Sequence, residues 1–284
     1  MSTTKARDMT QTNAVPDMQR DLRFFPATNT DPKHLSPAQI SHFNDKGYIF
    51  PVDVFREQQA DSNRTYFEHL MELAAAKNHN QYSINGWHSL CGGIWDLAME
   101  PHILDLVEDL LGPDLVCTMT HYFAKMPGDT KQVAWHQDAS YWPLTPSKVV
   151  TVWLAIDDID ASNGPMMFIP GSHVHGQIPF DKSTAEENNV LNQSVHDSDK
   201  WGDAPVGVIM PAGKISLHTD LLLHDSEPNP SQRRRCGLTL RYHPPDVRGR
   251  EPGQAAGIIC RGSDPSGYWQ HIERVEGDNI PEKN

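Results

Sequence analysis

No apolar run in this 284-residue chain reaches the length of a membrane span, so nothing in it reads as a transmembrane helix. Cysteine is scarce and scattered. Cys91, Cys117, Cys236 and Cys260 form no close pair, which argues against a disulfide framework or a structural zinc site and makes a reducing, cytoplasmic setting the expectation. Positive charge is also in deficit, with a formal net charge of −13 that would repel a phosphate polyanion, so no nucleic-acid partner is expected. The opening residues MSTTKARDMTQTNAVPDMQRDL carry basic residues with no apolar segment behind them. They read as a flexible arm over about 1–30, not as a secretory signal. No internal repeat is visible, and the oligomeric state is left open.

What is present is an ordinary globular composition, 38% hydrophobic and 21% charged, in a chain long enough to bury a sizeable core. LSPAQISHFNDKGYIF has helix end signals: Ser36 as cap, Pro37 in the first turn and Gly47 as the left-handed stop. Phe67, Leu70, Met71 and Ala74 recur at helical spacing, and ILDLVEDLLG follows the same pattern, so 31–115 is expected to be mainly helical. The character then changes. VCTMTHYFAKM, KVVTVWLAI, MMFIP, VGVIM, KISLH and CGLTLRYH read as short strands divided by ASNGP, PGSH and PAG turns. Residues 181–200 are polar and read as an insertion loop. Many short strands at regular spacing predict a sandwich or barrel.

Two triplets could carry chemistry, His136-Gln137-Asp138 and His218-Thr219-Asp220. A histidine and a carboxylate two apart on a strand share a face, and two histidines with one carboxylate leave open positions on an iron(II) ion for substrates. The interval TDLLL between His218 and His224 is too short, on this reading, for a turn and a new strand, so His218 and Asp220 are given a plain role at a strand end. His224 lies 88 residues after His136, enough chain to return to the same barrel mouth. Arg235 follows eleven residues after His224. A guanidinium beside an iron suits a dicarboxylate, one end on the metal and the other in a bidentate pair.

Three segments then carry a resemblance. HQDASYWPLTPS, VWLAIDDIDASNGPMMFIPGSH and HDSEPNPSQRRRCGLTLRY resemble segments of the phytanoyl-CoA dioxygenase family of iron(II)/2-oxoglutarate oxygenases, over about residues 36–245. The resemblance implies a mainly β protein with flanking helices, a double-stranded β-helix (jelly roll, cupin-like). It would form a single domain over 1–284, with a jelly-roll core at 116–245 and a C-terminal extension at 246–284. It also implies His136, Asp138 and His224 as iron ligands and Arg235 as the clamp on the distal carboxylate of 2-oxoglutarate, assisted by Ser226. Trp153 and His121 match positions lining the cosubstrate pocket in relatives. Iron(II), 2-oxoglutarate and dioxygen are the implied cofactor and cosubstrates, with hydroxylation, succinate and CO2 as the outcome. Asp138 keeps its carboxylate where related halogenases carry a small residue, which favours hydroxylation. Asp225 stands where relatives often have glycine. Asn163-Gly164 and Pro170-Gly171 read as turn chemistry.

The substrate is expected to be a small, anionic molecule. On a regular closing strand Arg235, Gly237, Thr239, Arg241 and His243 share a face, and an inward Arg241 needs an anionic partner, either the substrate or a structural carboxylate near Asp138. An aminoalkylphosphonate or a carboxylic acid fits. An acyl-CoA substrate and a non-catalytic metal-binding jelly roll are the alternatives. Asn85, Trp87 and His88 in SINGWHSL are placed near the pocket mouth. Arg233, Arg234, Arg248 and Arg250 are read as a solvated basic edge.

Overall fold

Helix formation in the N-terminal third follows from its end signals. In the computed structural model, which describes residues 14–79 and 83–282, Ser36 caps α1 (Pro37–Lys46) in a reciprocal arrangement with Gln39. Gly47 ends it at φ +88°, and a Cβ there would lie 2.7 Å from His173 Nδ1, so both angle and space require glycine. Helices α2 (Glu57–Ala76), α3 (Gly92–Ala98) and α4 (Pro101–Leu111) follow. Their apolar faces, with Phe67, Leu70, Ile94, Ile103 and Val107, pack with Leu154, Leu217, Leu238 and Leu240 from the strands in one core.

The strands are β1 (Tyr48–Asp53), β2 (Ser83–Asn85), β3 (Leu115–Lys125), β4 (Val133–His136) and β5 (Val150–Ala155). There follow β6 (Met166–Phe168), β7 (Asp181–Lys182), β8 (Gln193–Ser194), β9 (Val206–Gly207) and β10 (Lys214–Thr219). The last are β11 (His224–Ser226), β12 (Arg235–His243), β13 (Ala255–Arg261) and β14 (Trp269–His271). The larger sheet runs β1-β10-β5-β12-β3-β13-β14, with β2 also paired to β3, and the smaller runs β4-β11-β6-β9. This is the jelly roll that the strand pattern and the resemblance predict. Every residue of β5 and β12 is buried, because one face of the larger sheet meets the helices and the other turns to a cavity shared with the smaller sheet.

Three departures from the expected organisation matter. Residues 1–13 of the expected arm lie outside the described residues, but from residue 14 onward the segment is pinned. Val15 and Met18 are buried, Arg20 donates to Ala139 O (2.7 Å) and Trp142 O (2.9 Å), and Asp21 N donates to Thr145 Oγ1. The larger sheet draws β1 from the helical part and β13 and β14 from beyond residue 245, since its core strands would otherwise keep open edges. Within 181–200, β7 and β8 pair, and Asn188 to Leu191 line the mouth of the cavity. Among the described residues no helix is long and apolar enough to cross a membrane.

Candidate metal centre and cosubstrate cavity

Strands β4 and β11 are neighbours, and their register sets His136 directly opposite His224, with ring centroids 4.1 Å apart. Asp138 opens a short 3-10 turn (Asp138–Ser140) just past β4 instead of continuing the strand, and the turn still returns its carboxylate to the same point. Asp138 Oδ1 lies 3.8 Å from His136 Nε2 and 4.0 Å from His224 Nε2. The three donor atoms all fall within 4.8 Å of one another. His136 Nδ1 faces Ala134 O at 2.9 Å, and His224 Nδ1 faces Leu222 O at 3.0 Å. A carbonyl only accepts, so each Nδ1 carries the proton and each Nε2 presents a lone pair. Two lone pairs and a carboxylate oxygen aimed at one point repel one another unless a cation lies between them. The N2O donor set, oriented by those carbonyls, fits a divalent transition metal.

The surroundings keep the donors in their binding forms. Burial, and then the neighbouring His224, depresses His136 to about 3. Burial works in the opposite direction on Asp138, but Arg241, then His224 and His136, outweigh it and hold the carboxyl below its ordinary range. The outer oxygen of Asp138 accepts from Thr151 Oγ1 (3.4 Å) and lies 3.9 Å from Arg241 Nε. Gln137, between the two ligands, faces away from the site. Its amide donates to Gly176 O and Leu221 O and accepts from Ile178 N, which locks the ligand segment to its neighbours. The Pro170-Gly171 turn also contributes, since Ser172 Oγ accepts from Leu223 N, the residue before His224.

The interval between His218 and His224 does form a turn. Leu222 N donates to Thr219 O, and the chain crosses from β10 in one sheet to β11 in the other. No hairpin within a single sheet is needed, which is why so few residues suffice. His218 is therefore not a bland strand end, because it faces the cavity. Asp220 does turn inward to a structural partner: both its oxygens accept from Ser147 Oγ at 2.8 Å.

Arg235 opens β12, is buried, and lines the same cavity. Its Nε donates to Gly164 O at 3.0 Å, and its guanidinium lies 5.5 Å from the Trp153 ring centre. Gly164, at φ +69°, would put a Cβ 2.7 Å from the carbonyl oxygens of Glu227 and Pro228, so the Asn163-Gly164 turn is what brings that acceptor to Arg235. Trp153 in turn occupies the space over Gly237, where an added Cβ would meet its ring at 2.0 Å. Ser226 lines the cavity, and its carbonyl accepts from the buried Lys125 Nζ at 2.9 Å. The Asn229 side chain binds the carbonyls of Lys125, Met126 and Arg233, closing the loop that leads from β11 to β12.

The cavity measures about 710 Å³. Arg235, Thr239 and Arg241 all line it, as strand alternation predicts, whereas His243 stacks on Trp269 at 4.7 Å away from it. His121 lines it, pushed down to about 3 by burial and then by Arg241. Exposed Asn85 sits at its edge, but Trp87 is buried against His79 and His88 is bonded to Thr120 Oγ1. Arg234 is not a solvated edge residue: it grips Asp157 through Nε (2.9 Å) and Nη2 (2.8 Å). The residue pattern did not single out Tyr141, Trp142, Thr151 or Lys125. Tyr141 and Trp142 stand in the quoted SYW run, but only the turn after β4 aims them at the cavity.

A family model described as phytanoyl-CoA dioxygenase (PhyH) matches residues 35–237. The bovine peroxisomal phytanoyl-CoA dioxygenase is 32% identical over 147 residues, covering 50% of this chain and 43% of that protein. A probable alpha-ketoglutarate-dependent hypophosphite dioxygenase of Stutzerimonas stutzeri is 30% identical over 163 residues, 56% of each chain. The chain thus spans about half the length of these curated relatives. Among solved structures, the apo form of the non-heme monooxygenase ThoJ superposes with a TM-score of 0.74 at 27% identity, covering 84% of this chain and 88% of that one.

Proposed function

The chain belongs to the phytanoyl-CoA dioxygenase family, and from that membership we propose that it is an iron(II)/2-oxoglutarate-dependent dioxygenase that hydroxylates a small anionic molecule. The observation that carries the reading is the triad His136, Asp138 and His224 sharing one cavity with a buried arginine, Arg235, at its far end. A metal-storage protein has no use for that arginine. Iron(II) on the triad, with 2-oxoglutarate and dioxygen, supplies the oxidising chemistry, releasing succinate and CO2. The chain's own residues do the rest. Nε2 of each histidine and Oδ1 of Asp138 hold the ion, and Thr151 and Arg241 steady the outer oxygen of Asp138. Arg235 receives the distal carboxylate of 2-oxoglutarate beside Trp153 and Ser226, with His121 closing the same wall. The segment around Asn188 to Leu191 limits water at the mouth.

An anionic substrate is favoured by two buried groups on the other side of the triad. Arg241 Nε has no hydrogen-bond partner, its guanidinium lies 4.7 Å from the Trp142 ring centre, and the buried Tyr141 hydroxyl, approached by the Gln193 backbone, has no acceptor for its own proton. An oxyanion reaching them satisfies both, with Asn85 at the rim. The Stutzerimonas relative, named as a probable dioxygenase of hypophosphite, a small phosphorus oxyanion, points the same way. The test is anaerobic addition of iron(II) and 2-oxoglutarate, followed by a screen of carboxylic acids, alkylphosphonates and acyl-CoA thioesters scored by succinate release. A metal-to-ligand charge-transfer band and stimulation by a small anion are expected. Absence of the band overturns the oxygenase reading; stimulation by acyl-CoA alone overturns the small anion.

A further inference from the structure

The cavity-facing side of β10 holds a donor for which the roles above have no use. Ile215 and Leu217 turn into the helix-packed core, so by alternation Ser216 and His218 turn the other way. His218 is 1% exposed, lines the cavity of the triad, and has no hydrogen-bond partner at Nδ1 or Nε2. Its ring neighbours are Phe168 at 5.1 Å and His224 at 5.3 Å between centroids, and neither accepts from it. An imidazole keeps at least one N–H in either protonation state, and burying a polar ring with nothing to bind is costly. The position is built for a guest.

The register sets His218 among the groups around the triad. Arg241 sits opposite Thr151, and Thr151 opposite His218, so the three form one row across β12, β5 and β10. Thr151 and Arg241 face the outer oxygen of Asp138. His218 ends the row two strand spacings, about 10 Å, from Arg241 and so away from the wall assigned to the substrate. Its ring centroid lies 5.3 Å from that of the ligand His224, beside the position where the metal-bound end of a keto acid would sit. Arg235 answers the far carboxylate of 2-oxoglutarate. The carboxylate at the keto end has two oxygens, and a metal takes only one of them.

We propose that His218 donates a hydrogen bond to the keto-end carboxylate of 2-oxoglutarate and so orients the cosubstrate at the triad. This rests on the cofactor reading above. The test is anaerobic titration of iron-loaded wild type, His218→Leu, His218→Met and His218→Gln with 2-oxoglutarate, followed through the charge-transfer band. Iron(II) affinity is measured separately by competition with a chromophoric chelator. Both apolar variants should bind iron as wild type does and 2-oxoglutarate about tenfold or more weakly, the scale of one lost hydrogen bond to a charged group. Their band should move to higher energy, because removing a donor from the keto acid raises its acceptor orbital. His218→Gln, which restores an N–H, should recover most of the affinity and the band position. The acid 2-oxobutyrate, which lacks the far carboxylate, should lose the same factor in His218→Leu and none in Arg235→Ala. Wild-type affinity and band in the apolar variants overturn the proposal, as does a loss confined to iron binding. If wild type forms no band at all, the cofactor reading itself has failed, a different result.

Discussion

Of two histidine-x-aspartate triplets in one chain, only the first delivers its carboxylate to a second histidine, and the difference lies in what each aspartate meets. Asp138 meets His136 and His224, whereas Asp220 meets the Ser147 hydroxyl. His136→Ala, Asp138→Ala and His224→Ala are each expected to abolish turnover and weaken iron(II) binding while far-ultraviolet circular dichroism stays unchanged. Asp220→Ala should keep the metal, and retention of iron by all three triad variants is the outcome that sinks the assignment. Arg235 is a second single-residue case. Arg235→Ala should raise the 2-oxoglutarate requirement strongly, since removing a buried charge-paired group costs about 2–5 kcal/mol. Arg235→Lys should recover only part, because an ammonium cannot reproduce the planar fork. Titration of the charge-transfer band measures both, and an unchanged affinity in Arg235→Ala would pass the role to another cation.

The strands determine how those residues meet. β12 was legible as an element and in its parity, because a strand's alternation is local and Arg235, Thr239 and Arg241 follow it into the cavity. The crossing from β10 to β11 was not legible, because a turn between two sheets leaves no signature in sequence spacing. Gly237 shows the tightness of β12 against β5. Its missing side chain is the space that Trp153 fills, so Gly237→Ala should cost about 1–3 kcal/mol of stability through overpacking. The displaced indole should also weaken 2-oxoglutarate binding. Chemical denaturation and the same titration read the two effects, and a variant as stable as wild type contradicts the contact.

Taken over the whole molecule, an acidic chain encloses a cavity whose buried cations, Arg235 and Arg241, run against its net charge of −13. Burial also leaves a mark on stability at Asp220. Its carboxyl is pushed from 3.8 up to about 7 by burial, against the Ser147 hydrogen bonds. In the fold it therefore keeps a proton that the unfolded chain releases near pH 4. Stability is full below that pH, is lost as pH rises toward about 7, and stays reduced above it. Asp220→Asn removes the titration, so its melting temperature relative to wild type should be more favourable at pH 8 than at pH 5. A difference independent of pH would mean that Asp220 is ionised throughout.

Residue order alone was enough for a sandwich or barrel of short strands, the helical flank, the three ligand candidates and the distal arginine, while the jelly roll was implied only by the family resemblance. Those features rest on local periodicity, on turn chemistry and on residue types that few other roles require. The place of His218 on the cavity wall, the grip of Arg234 on Asp157, the pinning of residues 14–30 and the hydrogen bond of Lys125 to Ser226 came from folding. Each depends on a partner more than fifty residues away or on the absence of one, and no spacing in a single chain encodes which distant side chains will share a face. Burial then makes the distinction matter, because a histidine with nothing to bind is harmless in water and costly in a dry cavity.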